Sequence, residues 1–391
     1  MEQIIHKGGG NVFVNNKMSM FNNKIALRNC KEYDFNKIYS HIRDIFKICD
    51  GPEVQGKRVL LKPNILSDSP PEKCVTTHPV VIEALIRFLQ DNGATAVYIG
   101  DSPAIHIGRF RPAKSGIMEV CKKTGTEWIS FTTKSSELKL NRGSIKVTSC
   151  INDVDLIISV PKLKNHELVY FTGAIKNTLG LVPGFNKTKQ HALYQDRNSF
   201  SQFLVDLSEA VTPDFFIMDG IMGMEGAGPA QGSPYSTGVL IGSSNPLALD
   251  IIASSVAGYD PAVIPTNRIA LARGKWLKGI DDIIYDGPAL SSVIKKDFRR
   301  IPITGFANIS VRFLSNRIIM LRKLERRPVF LKNKCTGCGE CVKICPENAI
   351  DFHPADKKHI VLTDRKCIRC YCCSEVCRFN AIKVRIKPFG V

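Results

Sequence analysis

No stretch of this 391-residue sequence approaches the ~18 consecutive apolar residues that suggest a membrane span. The best candidates, such as DLIISV and DFFIM, are far too short. The opening residues MEQIIHKGGGNVFVNNKMSM likewise hold no apolar run long enough for an export signal. The expectation is therefore a cytoplasmic chain without a transmembrane segment, with residues 1–23 as a loose extension and Met18 or Met20 as an equally good start. Catalytic signatures are absent too. There is no Gly-x-Ser-x-Gly elbow, no His-Glu-x-x-His and no Gly-Lys-Ser/Thr ending of a phosphate loop. Outside residues 335–377 only five cysteines occur, Cys30, Cys49, Cys74, Cys121 and Cys150, scattered singly. That pattern excludes a disulfide framework and predicts small buried hydrophobes. Acids are scarce beside bases, and the formal charge is +18. More than half of that excess lies in residues 292–334, where twelve Lys or Arg face two acids.

What the sequence has in quantity is cysteine at one end. CTGCGECVKICP begins at Cys335 and CIRCYCCSEVCR at Cys367, and each reads C-x2-C-x2-C-x3-C. Three thiolates two residues apart, in a tight loop with Gly337 and Gly339, can wrap one corner of an iron–sulfur cube. The fourth lies beyond a short turn and reaches the neighbouring cube instead. Zinc would need only four ligands in more widely separated pairs. The repeat continues past the cysteines, since NAI at 348–350 recurs at 380–382.

Residues 335–391 resemble the bacterial two-cluster [4Fe-4S] ferredoxins. That resemblance implies one cluster on Cys335, Cys338, Cys341 and Cys377 and a second on Cys345, Cys367, Cys370 and Cys373. Two departures stand out. Arg378 replaces the family's proline after the second ladder, and Cys372 is a ninth thiol in the wrong register for ligation, which reads as a spectator.

Residues 24–291 alternate short strands with amphipathic helices. The strands KIALRN, RVLLKP, AVYIGD, DLIISVPK, DFFIMDG and TGVLIGS are rich in Val and Ile. THPVVIEALIRFLQDNG predicts a helix capped by Thr77 or His78 and opened by Pro79, and NPLALDIIASSVAG repeats the device with Asn245 and Pro246. The pattern is that of an α/β domain with a largely parallel sheet and flanking helices, followed by a small α+β ferredoxin-like unit. Such sheets bind ligands beyond the carboxyl ends of their strands. The residues predicted there are Lys62 and Asn64, Asp101, Lys162, Lys164 and His166, Lys176 and Asn177, and Asp219. Lysines beside amide donors suit a carboxylate or phosphate, although each residue alone also reads as a solvated strand end or a turn. His78, His166 and His191 are acid–base candidates that read equally as capping or surface residues. The glycine-rich stretch from Asp219 to Pro234 is either a loop that approaches a ligand or a plain connection.

The segments VLLKPNIL, THP, GDSPA, SVPKLKNH, GAIKNTLGLVPG, MDGIMGMEGAGP and NPLALD occur in the order seen in the DUF362 family, which this part of the chain resembles. That resemblance implies an α/β fold and a cytoplasmic redox setting, with no established reaction and no catalytic residue to carry over. Residues 292–334 are expected to form a basic helical connection, with Val311, Leu314, Ile318 and Leu321 on one face of a helix. Its charge suits an acidic redox partner protein. Aromatics are sparse there, which disfavours nucleic acid. The first functional reading is an electron carrier with two [4Fe-4S] clusters, suited to anaerobic metabolism. The alternative is a ferredoxin-linked reductase acting on an anionic small molecule, with room for a further unidentified cofactor.

Overall fold

A computed structural model describes residues 21–103, 110–184, 186–303 and 326–385. Its main sheet is built from β1 (Lys24–Asn29), β2 (Arg58–Pro63), β3 (Ala96–Asp101), β4 (Glu127–Ser130), β7 (Leu156–Val160), β10 (Phe215–Glu225), β11 (Ser233–Ser243) and β12 (Ile284–Asp286), in the order β12-β1-β11-β10-β7-β2-β3-β4. A separate hairpin joins β5 (Ser135–Lys139) to β6 (Ser144–Thr148). From β10 to β4 every neighbour is parallel. β11 alone runs antiparallel to both of its partners, β1 and β10.

The period of two along β2 shows how the sheet is buried on both faces. Val59 and Leu61 join one core with Ile38, Ile42 and Phe46 of α1 (Phe35–Ile48) and Val81, Leu85 and Leu89 of α2 (Pro79–Asp91). Leu60 enters a second core with Phe200, Phe203 and Leu204. Each fully buried side chain of this kind contributes about 1.5–3 kcal/mol. The cap of α2 is His78, whose Nδ1 accepts from Val80 N at 3.3 Å. Thr77 instead accepts from Asn64 N and donates to Val160 O, tying the ends of β2 and β7 together.

KLKNH lies beyond the carboxyl end of β7 and is itself a strand. After Pro161 it continues as β8 (Lys162–His166), which pairs with β10 and with β9 (Tyr170–Thr172). The strand forms because β10 runs on past the end of β7 and offers it a free edge. Helices α3 (Ile117–Thr124), α4 (Ala174–Asn177), α5 (Asn186–Leu193), α6 (Arg197–Ala210) and α7 (Pro246–Val256) follow in chain order.

The small unit pairs β13 (Arg327–Phe330) with β16 (Ile382–Arg385), and β14 (Ile350–His353) with β15 (Asp356–Leu362). β13 lies before the first ladder and joins this unit through its pairing with β16. The expected basic helix with Val311, Leu314, Ile318 and Leu321 falls largely outside the described residues. The sequence repeat recurs in the backbone. Left-handed φ values occur at Gly337 and Arg369 (69° and 60°), Gly339 and Tyr371 (74° and 63°), and Asn348 and Asn380 (47° and 57°). Each pair is separated by the same thirty-two residues as the ladders.

Candidate functional site: a lysine-rich cavity against the second cysteine ladder

The carboxyl ends of β2 and β3, the strand β8 and the helices α4 and α5 enclose a cavity of about 70 Å³. Its lining includes Lys62, Asn64, Asp101, Lys164, His166, Thr172, Lys176, Asn177, Lys187 and His191. The small unit supplies further wall with Ile344, Cys372 and Glu375. The last two belong to the helix Cys372–Val376, which also carries Cys373 of the second ladder.

Two carboxylates offset part of this charge. Lys62 is fully buried, and its Nζ lies 3.2 Å from Asp101 Oδ1 and 2.8 Å from Pro63 O. Asp101 also accepts from Ile65 N and Ser102 N, each at 2.7 Å. Burial pushes the Lys62 ammonium down despite Asp101. Gly180 makes room for this pair, since a Cβ there would lie 2.3 Å from both Asp101 Oδ1 and Lys62 Nζ. Lys164 donates to Val75 O at 2.7 Å and is held well below its ordinary value by burial and by the Lys176 charge. Lys187 donates to Ser102 O, and burial brings it down to about 7. Lys176 is half-buried and has no hydrogen-bond or ion-pair partner among the described residues.

His166 joins the two units. Its Nδ1 accepts from Leu168 N and Val169 N, which fixes the ring proton on Nε2, and Nε2 donates to Glu375 Oε1 at 3.2 Å. Burial pushes His166 down to about 3. Burial also opposes the Glu375 carboxylate, but the His166 hydrogen bond and Lys176 outweigh it and hold the carboxyl at about 2. Gln231 Nε2 donates to Ser374 O at 2.7 Å, Arg326 pairs with Glu167 at 2.5 Å, and Tyr371 OH donates to Arg326 O at 2.9 Å. The glycine-rich stretch therefore does approach the site. Pro229 lines the cavity, and Gln231 grips the ladder helix.

Three buried polar atoms on the cavity wall lack any hydrogen-bond partner: Asn64 Oδ1, Thr172 Oγ1 and His191 Nδ1. Buried polar groups in folded proteins are nearly always paired, and these three belong to residues that line one cavity.

Lys162 and Asp219 lie elsewhere. They form a 2.7 Å ion pair in a separate knot, in which Asp219 also accepts from Tyr33 OH and His78 N. The Tyr33 ring stacks on His78 at 3.5 Å. Every oxygen of Asp219 is used, so the knot closes the sheet and leaves Lys162 no free charge.

In the small unit, Cys335, Cys338, Cys341 and Cys377 line one small cavity together with Phe330, Ile360 and Ile382. Burial first, and then the neighbouring Cys370, Cys367, Cys341 and Cys345, push the Cys373 thiol well up. Four soft thiols in a mostly apolar wall fit an iron–sulfur cube. Of the eight ladder cysteines Cys338 alone is exposed. The five scattered cysteines are all buried, as expected.

Comparison with known proteins bears out both resemblances. Residues 334–381 match the 4Fe-4S dicluster domain, and residues 59–255 match the family described as a domain of unknown function, DUF362. The chain belongs to the DUF362 family. A Synechocystis relative named as a thylakoid-associated protein is 31% identical over 254 residues, covering 62% of this chain and 77% of that protein. Among solved structures, the lactate racemase apoprotein of Thermoanaerobacterium thermosaccharolyticum aligns at TM-score 0.39 and 10% identity, over 59% of this chain and 56% of the other. A Thermotoga maritima protein aligns at TM-score 0.34 and 13% identity, over 62% and 59%. The chain thus spans less than two thirds of either structure, and likeness at this level carries no functional weight. No helix among the described residues is long and apolar enough to cross a membrane.

Within the DUF362 unit, seven of the nine residues expected at the strand ends meet at the cavity: Lys62, Asn64, Asp101, Lys164, His166, Lys176 and Asn177. Lys187 and His191 were not among the nine. They stand one helical turn apart on α5, and that i, i+4 spacing is the signal that could have found Lys187 beside His191. Cys372 and Glu375 were missed because nothing local to a cysteine ladder says what its outer face will meet.

Proposed function

We propose that this protein is a ferredoxin-linked reductase in which the DUF362 unit binds a small anionic molecule and the 4Fe-4S unit delivers electrons to it. One observation carries this reading: the helix that holds Cys373 also forms the wall of the lysine-rich cavity. On this reading Cys335, Cys338, Cys341 and Cys377 hold one cluster, and Cys345, Cys367, Cys370 and Cys373 hold the other. The bound clusters would supply single electrons, one each. Electrons enter at the exposed Cys338 side from a partner protein, and the second ladder faces the guest.

The residues of the chain do the rest. Lys176 and Lys164 hold the anion, and Lys62 is kept in place by Asp101 and Asn177. Lys187, brought to about 7 by burial, can give a proton to the guest near neutral pH. His166 and Glu375 lock the ladder helix over the cavity.

The lysines would also offset the negative charge of a neighbouring cluster, as in a plain electron carrier. That alternative leaves the orphaned Asn64, Thr172 and His191 atoms unexplained. The test is anaerobic purification, mass-spectrometric identification of any co-purifying small molecule, and rapid mixing of that molecule or its oxidised form with the dithionite-reduced protein. Reoxidation of the clusters by wild type, lost in Lys176→Met at full iron content, supports the reductase. If the two proteins reoxidise alike, or no small molecule is found, the carrier reading stands.

A further inference from the structure

The orphaned atoms say more about the guest than its charge, and this step rests on the anion-binding reading above. The amide orientations around Lys62 are fixed by one chain of contacts. Lys62 Nζ has only donors to offer, so the Asn177 atom 3.3 Å from it is the oxygen. Asn177 Nδ2 accordingly donates to Ser159 Oγ at 2.9 Å and to Lys62 O at 3.3 Å. The same Asn177 oxygen lies 3.1 Å from the Asn64 side chain, which must therefore present its Nδ2 there. Asn64 Oδ1 is left on the other side, buried and without a donor. Turning the Asn64 amide over would set two carbonyl oxygens against each other, so the orphan is built in.

We infer that the molecule held in the cavity carries, besides its anionic group, a hydrogen-bond donor, a hydroxyl or amino group, that pairs with Asn64 Oδ1. Two further features agree. Thr172 and His191 are 1% and 5% exposed, and each is a cavity-lining residue with an unpaired polar atom. The cavity of about 70 Å³ corresponds to roughly five water-sized positions, which limits what it encloses to a handful of non-hydrogen atoms. A short hydroxy or amino acid meets these demands, whereas a bare carboxylate leaves Asn64 unpaired. A site built to hydrogen-bond a hydroxyl discriminates strongly against the analogue that lacks it.

The experiment is anaerobic calorimetric titration of the iron-replete full chain with glycolate, acetate and glycine, which differ in one group, and with inorganic phosphate as an anion of another shape. Glycolate or glycine binding at least about tenfold tighter than acetate is the expected result, and the tighter of the two tells hydroxyl from amino. Lys176→Met should weaken glycolate and acetate by the same factor and keep their ratio. Asn64→Leu, with its iron content verified, should bring the ratio close to one while acetate still binds. Equal binding of glycolate, glycine and acetate by wild type overturns the inference, with a water then serving Asn64, yet leaves the anion pocket standing. Failure of all four probes to bind overturns both. The wild-type ratio decides the matter even if the Asn64 variant does not fold.

Discussion

Lys187 is a cavity group whose charge changes near neutral pH. Its ammonium is held at about 7, first by burial, then through the opposed effects of Asp101, Lys62, Lys176 and Glu375. A lysine whose folded value is depressed is favoured in its neutral form, so it contributes stability above its unfolded value and loses that contribution as pH falls through about 7. Anion binding has the opposite sense. Affinity for an anionic probe should be highest below about pH 7 and should decline as pH rises through it. Titrations from pH 6 to 9 should show that decline in wild type and not in Lys187→Met, which should bind more weakly at pH 6. Lys176→Met removes the unpaired ammonium and should weaken binding roughly tenfold or more. At this scale the sequence was informative where chemistry follows a strand end, as at Lys62, Asn64 and Asp101. It misled at Lys162, because whether a buried lysine is free depends on a partner far along the chain, and Asp219 stands fifty-seven residues away.

Among the elements, the cysteine ladders were readable as a 4Fe-4S dicluster unit because their spacing is so close to the ligand geometry. The crossed assignment predicts that Cys345→Ser disturbs the cube of Cys367, Cys370 and Cys373, while Cys377→Ser disturbs that of Cys335, Cys338 and Cys341. Electron paramagnetic resonance of the reduced variants checks it, and damage confined to the ladder that carries the mutation would reject it. Strands and helices with strong periodicity, β1, β2, β3, α2 and α7, were equally legible. β8 was not, since KLKNH has no apolar alternation, and its extended form comes from the free edge of β10. The turn at Gly180 offers a second check. Gly180→Ala places a methyl group 2.3 Å from both members of the Lys62–Asp101 pair, so the pair must separate. Ligand binding should be lost by calorimetry while iron content stays full, because the ladders lie in another unit.

For the whole molecule, the prediction is about eight iron and eight sulfide per chain from two complete cubes; zinc in their place after anaerobic preparation would overturn it. The contact between units was invisible in the sequence, for it depends on which face of a small symmetric module turns inward, and no local pattern encodes that. In the structure the choice shows in the backbone. Where the first ladder has Gly337 and Gly339 in left-handed conformation, the second has Arg369 and Tyr371. Such a residue bears about 1–2 kcal/mol of strain in that conformation, and its neighbours hold it there. Arg369 is tied to Asp364 at 2.9 Å, and Tyr371 packs on the larger unit and reaches Arg326. A duplicated cluster module ordinarily offers two equivalent terminals to solution. Here one terminal meets the larger unit, so on the proposed reading the two halves would work in series, and a donor that finds the outer half would have no second door to choose.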